Sequence, residues 1–373
     1  MSVRRVAVVT GTRAEFGLLT PVMRAIASHD GRELRGVACG MHMVGPLPTI
    51  AEVERLFPVD ATVQMQVEGM VGRADDARAL GRGVVGCADA YERLEVDVVV
   101  VLGDRIEAMA AATAGSVMGL PVAHLHGGDV AEGVADEAMR HAITKLAHLH
   151  LPATEQSAQR IERMGEPRWR IERVGSPAAD VVRGAQILDD DAWRGVGSPE
   201  AVGLHHPCGL GEEEEIGWAR AIATGVGGMR TLWLAPNHDP GRAGVLRERE
   251  GSGAVLVDHL PSAAFTGMLK RLAREGGVLV GNSSCALIEG AIIGLGCVDV
   301  GPRQSGRERW SNVEHVARAE ADAVREAVTR ARAYEAETAA HPYGDGCTGE
   351  RVASALAVAE FSDPRWLRKR NAY

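Results

Sequence analysis

Apolar positions along this chain alternate between two periods. Short runs of valine, alanine and leucine at 6–9, 34–39, 62–65, 98–102, 122–125, 150–153 and 171–174 predict buried strands. Between them, segments 17–28, 76–94, 136–147 and 156–164 carry helical spacing; Leu18, Leu19, Val22 and Ile26 share one face of the first. Strands alternating with helices imply right-handed βαβ units and a parallel sheet. The pattern breaks up near 175–200, then resumes. Strands are expected at 201–206, 230–234, 277–280 and 296–300, and helices at 213–224, 262–275, 284–293, 322–334 and 350–361. The chain therefore reads as two doubly wound α/β domains, 1–178 and 179–349, followed by a terminal segment 350–373.

Composition sharpens this only at the edges. A hydrophobic fraction of 46% supports sizeable cores, and with aromatics at 4% the small aliphatic residues fill them. A net charge of −9 and a pI near 5.8 argue against a nucleic-acid partner. No apolar run is long enough to span a membrane, and residues 1–17 lack a signal-peptide pattern, so a soluble cytoplasmic protein is expected. The six cysteines form no CxxC pair and read as reduced thiols. The apolar helix around 80–91 is a candidate contact for a homodimer or homotetramer.

Candidate chemistry concentrates at the ends of the expected strands, where α/β sheets bind ligands. Asp104, Arg105 and Glu107 follow the strand 98–102. A helix starting at Asp104 would bring Asp104 and Glu107 together; alternatively Asp104 is only an N-cap. His124 and His126 fall on one side of a strand. Zinc is one reading of such a pair, but no further ligands stand at suitable spacing, so no metal site is expected. Gly127-Gly128 implies a sharp bend or a backbone lying against a ligand, and Asp129 follows. Asp136 with Arg140, and Glu137 with His141, are i,i+4 pairs. They form a solvated surface or, given the apolar residues around them, a partly buried carboxylate network. Gly11 and Arg13, after the first strand, offer backbone N–H groups and a guanidinium to an anion, or make a plain turn. In the second domain His206, Asn237 and the run Gly281-Asn282-Ser283-Ser284 end strands. The last opens a helix whose N–H groups and hydroxyls suit a diphosphate, with Glu289 placed for ribose hydroxyls; alternatively Asn282 or Ser283 is only an N-cap. The loop after the first strand, Val9-Thr10-Gly11-Thr12-Arg13, is not GxGxxG, which argues against a dinucleotide cofactor.

Nine motifs fall in one order: GTRAEFGLL, GDRIEA, HLHGGDVAEG, DEAMRHAITKLAHLH, VGSPAAD, HHP, PNHDPGR, GNSSCALIEGA and GPRQSGRERWSNV. In this the chain resembles UDP-N-acetylglucosamine 2-epimerases, and its hydrolysing branch in particular, from about residue 5 to about residue 320. The resemblance implies two Rossmann-like domains facing across a cleft (the GT-B type), with the segment 350–373 crossing back to the first domain. It implies elimination of UDP from UDP-GlcNAc to a 2-acetamidoglucal, then addition of water to give N-acetylmannosamine, with no redox cofactor and no obligatory metal. By position it makes Asp104, Asp136 and Glu137 the key carboxylates and Arg140 the residue that orients them. His126 or Asp129 supplies a further acid or base. Arg13, His206, Asn237, Ser283, Ser284 and Arg307 hold the nucleotide, and Glu289 its ribose.

The chain departs from the family pattern at His126, where some branches carry glutamate, and at His206-Pro207-Cys208-Gly209 and Pro236-Asn237-His238-Asp239. The first bears on whether His126 or Asp129 is the acid or base, and the other two bear on the sugar more than on the reaction. The same chemistry on a modified UDP- or GDP-amino sugar, such as a 2,4-diacetamido-trideoxy sugar, is the nearest alternative. A non-hydrolysing epimerase giving UDP-N-acetylmannosamine comes next. A glycosyltransferase shares the fold, but the acidic cluster of the first domain argues against it.

Overall fold

The valine-rich runs become the inner strands of two parallel sheets. A computed structural model describes residues 3–45, 49–70, 72–131, 137–237, 241–336 and 341–372. The first sheet contains β1 (Arg4–Thr10), β2 (Arg32–Cys39), β3 (Ala61–Val63), β4 (Val98–Leu102), β5 (Val122–Leu125) and β6 (Leu149–Leu151), in the order β3-β2-β1-β4-β5-β6. The second contains β7 (Ala201–Leu204), β8 (Thr231–Leu234), β9 (Val255–Val257), β10 (Val278–Gly281), β11 (Cys297–Val300) and β12 (Val313–Val316), in the order β12-β11-β10-β7-β8-β9. Each sheet grows outward in both directions from its own first strand, which puts a chain reversal, and hence a crevice, beside that strand's carboxyl end. All five residues of β4 are buried. They show no polar alternation because helices cover both faces of a parallel sheet.

The chain divides into two compact units. The first comprises Met1–Asp129, Asp136–Asp180 and Gly344–Tyr373; the second comprises Val130–Ala135 and Val181–Tyr343. Helix Thr348–Val358 packs on helix Arg13–Ala27 in the first unit. Gly349 sits where an added Cβ would lie 2.5 Å from the Pro21 carbonyl oxygen, so only glycine permits that approach. Asp180 accepts from the Thr348 and Gly349 N–H groups at 3.0 and 2.9 Å and so caps this helix. The tail beyond it is pinned by ions. The buried Glu166 carboxylate contacts Lys145 at 2.6 Å and Lys369 at 2.9 Å, and His150 Nε2 at 3.0 Å. Burial works against the Glu166 charge, but these partners hold its pKa at about 2.

Several expectations are corrected. Segment 171–174 is not a strand; it keeps only one bridge, between Ile171 and His150. The edge strands β9 and β12 were not expected: β12 reads Val-Glu-His-Val, without an apolar run, and β9 is a three-residue Val-Leu-Val run whose Val255 and Leu256 are exposed. The first helix begins at Arg13 rather than Gly17, started by a capping box in which Thr12 accepts from the Glu15 N–H at 3.3 Å. The helix expected over 284–293 is interrupted at Ile288, giving Ser284–Leu287 and Glu289–Ile293. None of the described helices is long and apolar enough to cross a membrane.

Candidate active site

The first unit gathers its chemistry at the carboxyl ends of β1, β4 and β5. Helix Glu137–Leu146 carries Arg140, which is 1% exposed. A guanidinium so deeply buried must be paired. Its Nη2 meets the Asp104 carboxylate, its Nη1 meets Glu137, and Nη1 also donates to the Asp129 carbonyl at 3.2 Å. Glu137 Oε1 lies 3.0 Å from His141 Nε2, the expected i,i+4 pair. Asp104 is therefore not a helix cap. The following helix starts at Ile106 and its N-cap, Arg105, makes no capping bond. Nor does Asp104 join Glu107, which turns the other way to accept from Gln66 Nε2 at 2.7 Å and Arg105 Nε at 3.3 Å. Asp136 lies outside the described residues.

The two histidines of HLHGGD also part company. His124 ends inside β5, with Nε2 on the Gly103 carbonyl at 2.8 Å and Nδ1 near Thr144 Oγ1 at 3.3 Å. Burial lowers its pKa to about 3, so it is a neutral core histidine. His126 has φ +59°, a left-handed conformation that non-glycine residues rarely adopt. The alternation of the strand ends there, and the ring swings to Asp129 (Nδ1 to Oδ2, 2.8 Å) and Ser176 (Nε2 to Oγ, 3.1 Å). Asp129 Oδ1 accepts from Ser157 Oγ at 2.7 Å.

The turn after β1 is not the open anion site its glycine implied. An added Cβ at Gly11 would lie 2.4 Å from Glu107 Cγ, and one at Gly40 would lie 2.5 Å from the same atom. Both glycines make room for the Glu107 side chain, itself 1% exposed. The Gly11 N–H is taken by Glu15 Oε2 at 2.7 Å. Burial, reinforced by the neighbouring Glu107, pushes the Glu15 pKa to about 8 despite that hydrogen bond. Arg13 pairs with Glu52 at 3.1 Å.

In the second unit the polar groups are mostly neutral. Asn282, 1% exposed, bridges two strand ends: its Oδ1 accepts from the His206 N–H at 2.7 Å and its Nδ2 donates to the His206 carbonyl at 2.7 Å. It is a cross-strand tie, not a cap, and Ser283 at the N-cap position makes no capping bond either. Gly281 must be glycine, since a Cβ would stand 1.9 Å from the Leu204 carbonyl oxygen. Asn237 donates its N–H to His206 Nδ1 at 3.1 Å. The Asn282 carbonyl accepts from Arg303 Nη1 at 3.1 Å and Gln304 Nε2 at 2.8 Å, and Arg307 Nη1 donates to Gln304 Oε1 at 3.0 Å. Ser283, Ser284 and Glu289 are half-buried, on the two short helices after β10. Here too the first turn is closed, because the Cys208 and Leu210 N–H groups donate to buried Glu215 at 2.7 and 3.1 Å. Burial lowers the His205 and His206 pKa values to about 3, with Arg303 adding to the effect. His238 and Asp239 lie outside the described residues.

Sequence reasoning did not single out Ser157, Ser176, Glu15, Glu215 or Gln304. Ser176 stood within VGSPAAD and Gln304 within GPRQSGRERWSNV, but nothing local told which residue of a block would act. Among the described residues no group of three His, Cys, Asp or Glu side chains is gathered to hold a metal.

A family model described as UDP-N-acetylglucosamine 2-epimerase matches residues 24–357. A hydrolysing UDP-N,N'-diacetylbacillosamine 2-epimerase of Legionella pneumophila is 32% identical over 100% of both chains. A UDP-N-acetylglucosamine 2-epimerase of Neisseria meningitidis serogroup B is 31% identical over 84% of this chain and 83% of its own. Among solved structures, a Neisseria meningitidis UDP-GlcNAc 2-epimerase bound to UDP-GlcNAc superposes with a TM-score of 0.78 at 16% identity, covering 95% of this chain and 99% of that one. A Methanocaldococcus jannaschii UDP-GlcNAc 2-epimerase in complex with UDP-GlcNAc and UDP gives 0.77 at 16%, covering 95% and 100%. These likenesses establish the two-Rossmann, GT-B-type fold.

Proposed function

Because the chain belongs to the UDP-N-acetylglucosamine 2-epimerase family, we propose that it is a hydrolysing 2-epimerase of a UDP-linked N-acetylated amino sugar. The observation that carries this reading is the buried Arg140 guanidinium, tying the Asp104 and Glu137 carboxylates at the end of β4. Elimination needs a carboxylate near C2 and a fixed cation to orient it.

In the proposed reaction a carboxylate of the first unit takes the C2 proton. The C–H electrons form the C1–C2 double bond, and the C1–O electrons leave with UDP. Water then adds across that bond, its hydroxyl to C1 and a proton to C2 from the opposite face. The free sugar is released with C2 inverted. We assign the proton transfers to Asp104, Glu137 and Asp129, with Asp136 and His126 as further candidates, and orientation to Arg140. For the nucleotide we assign His206, Asn237, Ser283, Ser284 and Arg307, with Glu289 on the ribose. A phosphate reaching Arg13 would compete with Glu52. No redox cofactor or metal enters this scheme.

The full-length relationship to the Legionella enzyme favours a second substrate, a UDP sugar with acetamido groups at C2 and C4. The test is a proton NMR time course in D2O with UDP-GlcNAc and with UDP-N,N'-diacetylbacillosamine. The expected products are free UDP and a C2-inverted, C2-deuterated free sugar from at least one of them. UDP-N-acetylmannosamine without free UDP would move the protein to the non-hydrolysing branch, and turnover of neither would sink the proposal.

A further inference from the structure

We propose that Ser176 and Ser157 are positioning residues that fix the His126 tautomer and hold the Asp129 carboxylate in a single orientation. The role of Asp129 rests on the hydrolysing-epimerase reading; the geometry does not. Ser176, His126 and Asp129 stand in the spacing of a nucleophile–base–acid triad, with Oγ 3.1 Å from Nε2 and Nδ1 2.8 Å from Oδ2. A nucleophile, however, needs an open face. Ser176 is fully buried, and its hydroxyl also accepts the Ala178 N–H at 3.3 Å. The same three residue types therefore serve a different end.

Hydrogen counting gives the direction. An ionised carboxylate only accepts, so His126 Nδ1 carries the proton and donates to Asp129. In the neutral ring Nε2 then accepts, and the Ser176 hydroxyl donates to it. On the other flank the Thr154 hydroxyl accepts the Ser157 N–H at 3.1 Å and donates to Ser157 Oγ at 3.2 Å. Ser157 in turn donates to Asp129 Oδ1 at 2.7 Å. The hydrogens of both flanks point inward, onto opposite oxygens of one carboxylate.

The backbone is shaped for this arrangement. His126 accepts a left-handed φ of +59°, a strained conformation that turns its ring back over the loop. Gly128, at φ +76°, brings the turn so close to the next helix that an added Cβ would lie 2.2 Å from the Ser157 carbonyl oxygen. Ser176 is fixed from behind, its carbonyl accepting from Thr348 Oγ1 at 3.0 Å. Helix Thr348–Val358 thus anchors one end of the chain of hydrogen bonds.

The test begins with protein labelled with 15N-histidine, the His126 resonances being identified by their loss in His126→Gln. Two-bond proton–nitrogen correlations should show His126 as the Nδ1–H tautomer in the wild type; a dominant Nε2–H form would overturn the proposal. Ser176→Ala should mix the tautomers and lower kcat roughly 10- to 100-fold with KM nearly unchanged, as expected when a reacting group is misplaced by less than its own width. Ser157→Ala should lower kcat similarly while the tautomer stays. Wild-type kcat in both variants would also overturn it. Should the wild type turn over no nucleotide sugar, the functional reading fails while the tautomer still decides the geometry, and it needs no variant beyond His126→Gln.

Discussion

The two units share a strand order and use it differently. In both, the turn after the first strand, where a Rossmann fold commonly receives a phosphate, is closed by a glutamate from the first turn of the next helix. Glu15 takes the Gly11 N–H, and Glu215 takes the Cys208 and Leu210 N–H groups. Each unit therefore places its chemistry further along the sheet. In the first, the ends of β4 and β5 hold charges: Asp104, Glu137 and Asp129 around Arg140 and His126. In the second, the ends of β7 and β10 hold neutral amide and imidazole groups, bridged by Asn282 and flanked by Arg303 and Arg307. Paired buried charge suits proton transfer, whereas a neutral, donor-rich rim with arginines suits a diphosphate. In the proposed reaction one fold serves both roles, and the side chains at the strand ends decide which.

The largest test of this division is Asp104→Asn. It keeps the shape and a polar partner for Arg140 but removes a base, so kcat should fall by about 10²- to 10⁴-fold. UDP affinity, measured by calorimetry, should stay near the wild-type value. Asn282→Ala is the converse. It strips the His206 N–H and carbonyl of their partner, which costs about 1–3 kcal/mol of unfolding free energy. It should weaken UDP binding more than it lowers kcat. If Asp104→Asn weakened UDP as much as Asn282→Ala does, the assignment of chemistry to one unit and nucleotide to the other would fail.

How legible this was depends on the kind of signal. Buried parallel strands are continuous apolar runs, so β4 and β5 were read to the residue, as was the doubly wound pattern. The edge strand β12 was missed because it reads Val-Glu-His-Val, with no apolar run; β9 does carry one, Val-Leu-Val, but it is only three residues long and was passed over. At the site, i,i+4 spacing found Glu137 with His141, because helical neighbours are fixed by local geometry. Asp104 with Arg140, 36 positions apart, was reached only through the family resemblance. Contacts that cross the sheet left no spacing to read, which is why Ser157 and Ser176 stayed hidden beside Asp129 and His126. Local reasoning also misdirected where the backbone turned: His124 and His126 share a face only while a strand continues, and His126 is where it stops. Gly11 was seen as freedom for a ligand, whereas with Gly40 it makes room for Glu107.

The finest contrast between the units is carried by two buried histidines. His124 and His205 are both pushed by burial from the usual value to about 3. A histidine with a depressed folded pKa leaves the unfolded chain to bind the proton first. Its contribution to stability is therefore intact above the unfolded value near 6.5 and is lost as pH falls from there toward 3. The loss is roughly 1.4 kcal/mol per pH unit for each ring. What differs is bonding. His124 holds the Gly103 carbonyl and Thr144, while neither ring nitrogen of His205 has a hydrogen-bond partner among the described residues. Urea unfolding of two leucine variants separates these terms. His205→Leu gives up no hydrogen bond, so at pH 8 its stability should lie within about 1 kcal/mol of the wild type. At pH 5, freed of the protonation penalty, it should exceed the wild type by about 2 kcal/mol. His124→Leu escapes the same penalty but strands the Gly103 carbonyl, and at pH 8 should be less stable by about 1–3 kcal/mol. Equal losses for the two variants at pH 8 would mean that His205 has a partner after all, and that the neutral rim of the second unit is as fully bonded as the charged cluster of the first.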